Sequence, residues 1–185
     1  MASTINASTS SGIVSTADTS GILQLQSNGT TVATFNSSGV NAGIQVASNA
    51  APAFGVYQSS PQTLSSNTWT KIQFQTKEFD TANCFDATTN YRFTPNVAGY
   101  YQLNFAVTNT ASATQILTGI YKNGSNFKNT TYGASLSSTS GWGSAIIYFN
   151  GSTDYVELYS YFQIGQATQQ GQTWTWFNGA MIRSA

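Results

Sequence analysis

The chain lacks histidine and contains few charged residues. Its 185 residues include no histidine, six basic and six acidic side chains, and carry a formal net charge of zero. Charged residues make up 6% of the chain, against about 25% in an average protein. Without imidazole there is no Ser/His/Asp or Cys/His relay, and the commonest general base and metal ligand are missing. So few basic residues also predict no nucleic-acid partner, because binding phosphates requires clustered Lys and Arg.

Cysteine and long apolar runs are scarce as well. The single cysteine, Cys84, excludes an intrachain disulfide, and we interpret it as a small buried apolar residue. No apolar run approaches the ~20 residues of a membrane-spanning helix, so we predict no membrane insertion. The first twenty residues have neither the basic nor the apolar segment of a secretory signal. We therefore expect the chain to fold in a cytoplasm and to reach any exterior location by lysis or assembly.

The remaining candidates for enzyme chemistry are four carboxylates, on Asp80, Asp86, Asp154 and Glu157. A pair of carboxylates could hydrolyse a glycoside. Structural roles fit better, because Asp154 and Glu157 flank a turn and strand parity directs both toward solvent. A calcium site needs several carboxylates close together, and these residues are scattered. We predict no enzyme activity, no metal and no cofactor.

An aromatic strand pair lies at residues 90–107. After Gly99, every second residue is apolar, as expected for one buried face of a strand. Pro95 and Gly99 require a turn before it. The predicted core of the domain, including one residue from the last strand, is Phe93, Tyr101, Leu103, Phe105, Val107 and Phe177.

The region from residue 53 to residue 185 consists of strand patterns separated by turns. Eight strands are predicted, at residues 53–58, 70–76, 90–94, 99–108, 114–122, 142–149, 153–163 and 172–182. Asn-Gly pairs at 123–124, 150–151 and 178–179 punctuate them, and the Gly-Trp-Gly segment at 141–143 is interpreted as a loop. Eight strands without a helical period predict an all-β sandwich or jelly roll over residues 51–185.

The segment from Phe85 to Val107 resembles the signature of the globular head of complement component one, subcomponent q, a jelly roll shared with tumour necrosis factor. The matching motifs are Phe85-Asp86, Phe93-Thr94, Gly99-Tyr100-Tyr101, Lys122-Asn123-Gly124 and Trp176-Phe177-Asn178-Gly179. The turn at residues 151–155 departs from the family pattern, and no collagen-like tract precedes the head.

The resemblance implies a homotrimeric jelly-roll head. We predict that Trp174 and Trp176, on one face of the last strand, and Tyr155 contribute to the trimer interface. A glycan platform and a position in the core remain alternatives for the two tryptophans.

Residues 1–50 form a Ser/Thr/Gly-rich arm with one charged residue, Asp18. Asn28-Gly29 predicts a hairpin with a type I′ turn, which would pair Leu25 with Val32 on one face and Ile22 with Phe35 on the other. An isolated hairpin is marginal in water, so we predict that its apolar residues anchor the arm to another surface. These residues are Ile22, Leu23, Leu25, Val32 and Phe35. The alternative is a disordered tail of low complexity.

The arm around residues 19–31 is similar to sequences at the start of bacteriophage fibre and virion proteins. We predict a capsid-decorating protein, a cement or head-fibre trimer at the virion surface, with the arm as anchor and the head projecting outward. Its partners would be its own copies, the major capsid protein or other virion proteins, and possibly a host glycan. The alternative is a tail-fibre or spike tip that binds a receptor or glycan through head loops 122–140 and 161–172. A bacterial surface trimer ranks third.

Overall fold

The computed structural model describes residues 22–27, 29–36, 39–42, 51–113, 115–129 and 138–185. The chain divides into two units, Met1–Ser48 and Asn49–Ala185. All regular elements in the described ranges are β-strands, and these ranges hold no helix with the length and apolarity to cross a membrane.

The first unit contains a three-stranded antiparallel sheet. Its strands, in the order β1-β2-β3, are β1 (Leu23–Ser27), β2 (Thr30–Asn36) and β3 (Gly39–Ala42). The predicted hairpin forms, with Ser27 opposite Thr30 and Gly29 at φ +77°. The strand β3 was not predicted, and it brings the hairpin to the number of strands at which a sheet gains independent stability.

The predicted register of this hairpin is wrong beyond the first two pairs. A bulge shifts the pairing between Leu25 and Gln26, so that Leu25 faces Ala33 and Leu23 faces Phe35. A bulge adds one unpaired residue to one strand, and counting outward from the turn cannot detect it. The side chains of Leu25, Val32 and Phe35 lie outside the described part of the structure.

The second unit contains thirteen described strands. They are β4 (Ala53–Tyr57), β5 (Thr63–Leu64), β6 (Thr68–Lys71), β7 (Thr76–Asp80), β8 (Phe85–Asp86), β9 (Arg92–Phe93), β10 (Gly99–Ala113), β11 (Ile116–Lys122), β12 (Ser125–Asn129), β13 (Ser138–Phe149), β14 (Val156–Phe162), β15 (Gln166–Ala167) and β16 (Trp176–Ser184).

Most of these strands form two five-stranded antiparallel sheets. Sheet 1 has the order β13-β10-β16-β4-β7, and sheet 2 has the order β12-β11-β14-β9-β8. Strands that neighbour each other in a sheet are mostly distant in sequence, so the chain crosses repeatedly between the sheets. The predicted all-β jelly roll is confirmed.

The core lies between the two sheets and is rich in aromatic rings. All six predicted core residues are at most 3% exposed. The ring of Phe93 stacks on Phe54 at 4.2 Å and meets Tyr101 edge-on at 5.6 Å. The Tyr101 hydroxyl donates to the Val97 carbonyl at 2.8 Å, and burial raises the pKa of Tyr101 to about 12. Cys84 is 7% exposed and packs into the same core.

Two predicted strands are shorter in the structure. The predicted strand 70–76 is divided between β6 and β7, and Ile72 and Phe74 between them are completely buried. The predicted strand 90–94 contracts to β9, since Tyr91 adopts φ +50°. The short strands β5, β8, β12 and β15 were not predicted.

Two glycine motifs lie within strands rather than in turns. The Gly-Trp-Gly segment belongs to β13, so its assignment as a loop is wrong. Asn178-Gly179 lies inside β16 and does not form a turn. A Cβ atom on Gly179 would lie 2.5 Å from Leu103 and 2.9 Å from Phe54. This glycine is therefore explained by close packing against the core.

Candidate functional site

The outer face of sheet 1 is the most prominent exposed surface of the second unit. Because alternate residues of β10 fill the core, the residues between them point outward, together with those of β13 and β16. We define this face by Tyr100, Gln102, Asn104, Ala106, Trp142, Ser144, Ile146, Tyr148, Trp176, Asn178, Ala180 and Ile182. None of these residues is charged.

Large apolar side chains concentrate on this face. Trp142 is 74% exposed, Ile146 and Ile182 are each 54% exposed, and Tyr100 and Tyr148 lie against each other with ring centroids 5.4 Å apart. These five are among the eleven large hydrophobic residues that are exposed in the described chain. Several large apolar side chains exposed on one face indicate an interaction site.

The apolar residues form two grooves at opposite ends of the face. One groove, of about 600 Å³, is lined by Tyr100, Ile146, Tyr148 and Ile182 and closed by the last three residues of the chain. One of these, Arg183, pairs with Tyr100 and places a positive charge at this end of the face. The other, of about 490 Å³, lies between the three tryptophans Trp142, Trp174 and Trp176.

The predicted interface residues Trp174 and Trp176 both line the second groove, but they do not share a strand. Trp174 lies in the turn before β16, where its N–H donates to the Gly171 carbonyl at 3.0 Å, whereas Trp176 begins the strand. The assignment of both to one strand face is therefore wrong. Trp142 was missed, although strand parity over 142–149 places it on the same face as Ile146 and Tyr148.

A polar band separates the two grooves. The Asn104 amide donates to Asn178 Oδ1 at 3.1 Å, while its Oδ1 accepts from Ser144 Oγ at 3.0 Å and Gln102 Nε2 at 3.3 Å. Gln102 Nε2 also contacts Ser144 Oγ. Amide and hydroxyl groups both donate and accept hydrogen bonds. The band is therefore chemically suited to pairing with another copy of itself.

Tyr155, the third predicted interface residue, lies apart from this face. It precedes β14 in sheet 2, where the Arg92 guanidinium lies 4.3 Å from the centroid of its ring. Its backbone N–H donates to Asn123 Oδ1 at 2.9 Å. The structure does not bring Tyr155 together with the two tryptophans.

The outer face of sheet 2 carries a second aromatic group, which we call the tyrosine cluster: Trp69, Tyr121, Tyr159 and Tyr161. Tyr121 and Tyr159 stack at 3.9 Å, and the ring of Trp69 lies 6.0 Å from Tyr121 and 5.9 Å from Tyr161. A Cβ atom on Gly119 would lie 3.3 Å from the Trp69 ring. All four members are half-buried, so each residue packs partly against its neighbours and leaves part of its surface accessible to solvent.

Glu157 lies beside the tyrosine cluster and is 6% exposed. Its carboxylate pairs with Lys71 Nζ at 3.1 Å. The prediction that Glu157 points to solvent is wrong, because β6 runs beside β14, where the Ile72 N–H donates to the Leu158 carbonyl at 2.8 Å, and brings Lys71 onto the Glu157 carboxylate. Burial raises the pKa of the Tyr159 hydroxyl, and the neighbouring Glu157 raises it further.

Asp154 was also predicted to face solvent, and this prediction is wrong as well. Its side chain is 13% exposed and pairs with Lys122 Nζ at 2.9 Å. Hydrogen bonds from the Asn123 side chain, at 2.8 Å, and from Lys122 and the Asn150 backbone outweigh burial and lower the pKa of Asp154.

The other two carboxylates stabilise local turns. Burial acts to raise the pKa of Asp80, but an ion pair with Lys77 at 2.7 Å and hydrogen bonds from the Cys84 and Phe85 N–H groups lower it overall. Asp86 accepts from the N–H groups of the three residues at 88–90, and these bonds lower its pKa well below the usual range. Within the described ranges, no three His, Cys, Asp or Glu side chains group to hold a metal ion.

The sheet order and the aromatic core define a jelly roll of the tumour necrosis factor and complement head type, and comparison with solved structures confirms the resemblance at the level of the fold. Murine APRIL superposes with a TM-score of 0.57 at 9% identity, over 71% of this chain and 99% of that one. The globular domain of zebrafish complement 1qA gives 0.52 at 18% identity, over 73% and 99%. Eiger TNF from S. frugiperda gives 0.57 at 7% identity, over 73% and 94%. No family model and no curated protein matches the chain.

Proposed function

We propose that the protein is a non-enzymatic structural protein of a bacteriophage virion, a capsid-decorating homotrimer whose head is residues 51–185 and whose arm is residues 1–50. The observation that carries the proposal is the aromatic outer face of sheet 1, where the one charged residue that lines either groove is Arg183. Such a face on a chain that is only 6% charged favours burial against a partner over exposure to water.

The partner that best fits this face is another copy of the chain. Both grooves are lined mainly by apolar side chains, and the Gln102–Asn104–Asn178 band between them offers matching donors and acceptors to an identical surface. With Arg183 as the one charge in the grooves, the face has only a weak electrostatic preference for a partner. Closed cyclic assembly buries such a face on every copy, and the resemblance to the complement head favours three copies.

The virion setting is supported by the arm. Its sequence around residues 19–31 is similar to the start of phage fibre and virion proteins, and its three-stranded sheet exposes Ile22 by 47% and Leu23 by 48%. These side chains offer apolar surface for attachment to a capsid shell. The arm, at about fifty residues, is too short to form a fibre shaft but is long enough to lay strands on a capsid shell.

The oligomeric state is the first test. Sedimentation equilibrium of the purified chain is expected to give a heat-stable trimer, and a monomer at micromolar concentration would overturn the proposal. Deleting residues 1–45 should leave the trimer folded and abolish attachment to the virion. Loss of folding would instead show that the arm is part of the head, and cryo-electron microscopy that places the chain on the tail would refute the capsid location.

The second candidate is a tail-fibre or spike tip that binds a host receptor or glycan, and the tyrosine cluster favours it. Half-exposed aromatic rings next to amides, such as Asn67 bonded to the Tyr161 hydroxyl at 2.8 Å, suit a sugar, which offers both C–H faces and hydroxyl groups. Glycan-array binding that Tyr121→Ala abolishes and Phe79→Ala, on the 48% exposed ring of β7, preserves would support this candidate. Failure of the purified protein to inhibit phage adsorption would count against it.

A further inference from the structure

Buried polar side chains concentrate at one end of the jelly roll, where the connection of residues 163–175 runs from β14 to β16. Eight polar or charged side chains are buried in the described chain. Five of them belong to this end: Gln58, Thr108, Asn109, Thr168 and Thr175.

Part of this polar end is a closed hydrogen-bond network. Thr175 Oγ1 donates to the Gln169 carbonyl at 2.7 Å and accepts from the Thr108 N–H at 3.2 Å. Thr168 Oγ1 accepts from the Gln62 N–H at 2.9 Å. These bonds tie the connection to β10 and to the segment after β4.

Four buried side-chain atoms at this end have no hydrogen-bond partner. They are Gln58 Oε1, Gln166 Oε1, and both Oδ1 and Nδ2 of Asn109, and they are all such atoms among the described residues. Asn109 is 1% exposed and Gln58 is completely buried. Native proteins leave few buried polar atoms unpaired, because losing hydration without a replacement is unfavourable. An amide with neither end paired indicates a missing partner.

We propose that this end of the jelly roll encloses ordered water molecules bonded to Asn109 and its neighbours. The unpaired set contains three carbonyl oxygens and one amide nitrogen, and water can donate to the former while it accepts from the latter. A divalent cation fits less well, because it requires oxygen ligands, usually with carboxylates among them, and none of the four atoms is charged. A buried water makes about three hydrogen bonds, so four atoms require about two molecules.

The enclosed water lies beside the connection of residues 163–175. Asn109 pairs with Thr168 in an isolated antiparallel bridge, and Gln166, which carries one of the four unpaired atoms, belongs to the connection itself. Water bonded to Asn109 and Gln166 would therefore join the connection to β10.

A high-resolution crystal structure of the full chain, together with magnetic relaxation dispersion of water oxygen in solution, tests the proposal. We expect about two enclosed density peaks within hydrogen-bond distance of Asn109 and Gln58, and a matching number of long-lived waters. Asn109→Leu should remove at least one of these waters, whereas the matched control Asn126→Leu, on the exposed strand β12, should remove none.

Three results would overturn the proposal. One is an enclosed space without density around an unpaired Asn109. Another is a peak surrounded only by oxygens at roughly 2.3–2.6 Å, which indicates a bound cation. The third is an unchanged count of long-lived waters in Asn109→Leu. If Asn109→Leu does not fold, the electron density at Asn109 in the unsubstituted protein still tests whether water is enclosed there.

Discussion

Replacing Trp142 with alanine is the sharpest test of the outer face of sheet 1. Trp142 is 74% exposed in the single chain, so removing its side chain takes few contacts from the core. If the proposed trimer buries this indole, the variant should keep its fold and lose its assembly. A role in folding would produce the opposite pattern.

The size of the effect follows from the exposed area. A tryptophan offers up to about 250 Å², so its exposed 74% corresponds to about 185 Å² that assembly would bury. At about 25 cal/mol per Å² this burial contributes about 4–5 kcal/mol. Alanine retains part of the contact, and we expect a loss of about 3 kcal/mol per interface, or roughly two orders of magnitude in dissociation constant.

The assay is sedimentation equilibrium over a dilution series from micromolar to nanomolar, with circular dichroism to verify the fold. The matched control is Phe127→Ala, which removes a 49% exposed ring from strand β12, outside the proposed interface. Dissociation of Trp142→Ala at a concentration where wild type and control remain trimers is the expected result. Equal dissociation of both variants would refute the assignment of this face as the interface.

Three further predictions concern stability, measured by urea unfolding. Asp86→Asn should cost about 1–3 kcal/mol, because the amide cannot accept all the bonds that the carboxylate accepts. Folding lowers the pKa of Asp86 below its ordinary value, so its contribution is present above that ordinary value and is lost as the pH falls through the lowered pKa. An equally steep acid transition in the variant would contradict this role. Lys71→Met should cost about 1–3 kcal/mol by leaving the buried Glu157 unpaired, which is less than for a fully buried pair because Lys71 is partly exposed. Adding Glu157→Gln to this variant should recover most of the lost stability. No recovery would mean that the lysine acts through packing. Gly179→Ala should cost about 1–3 kcal/mol through overpacking against Leu103, and an unchanged midpoint would show that the core relaxes there.

The core of the head was predictable because its signal is local. Tyr101, Leu103 and Val107 alternate with polar residues along one strand, and that period by itself assigns their face. The resemblance at residues 85–107 then supplied the topology, which periodicity cannot give, since strand order depends on pairings between distant segments.

Other features depend on tertiary neighbours that the local sequence does not reveal. Strand parity directs Glu157 to the outer face of sheet 2, but only the position of β6 beside β14 shows that Lys71 meets its carboxylate there. Gly179 follows an asparagine and so resembles a turn, whereas the close approach of Leu103 explains it. Trp142 begins the predicted strand 142–149, but its place in the same groove as Trp174 depends on the pairing of β13 with β10 and of β10 with β16.

The scarcity of charge on the outer face of sheet 1 has a kinetic consequence. With a net charge of zero and a single arginine, Arg183, in the grooves of that face, two copies meet with little electrostatic guidance, and their association rate is expected near the unassisted 10⁵–10⁶ M⁻¹s⁻¹. Added salt is expected to change this rate only slightly. A newly made chain would thus expose its apolar face until it meets another copy, and the length of this interval depends mainly on the concentration of the chain. Rapid, abundant synthesis would shorten the interval in which the chain can aggregate.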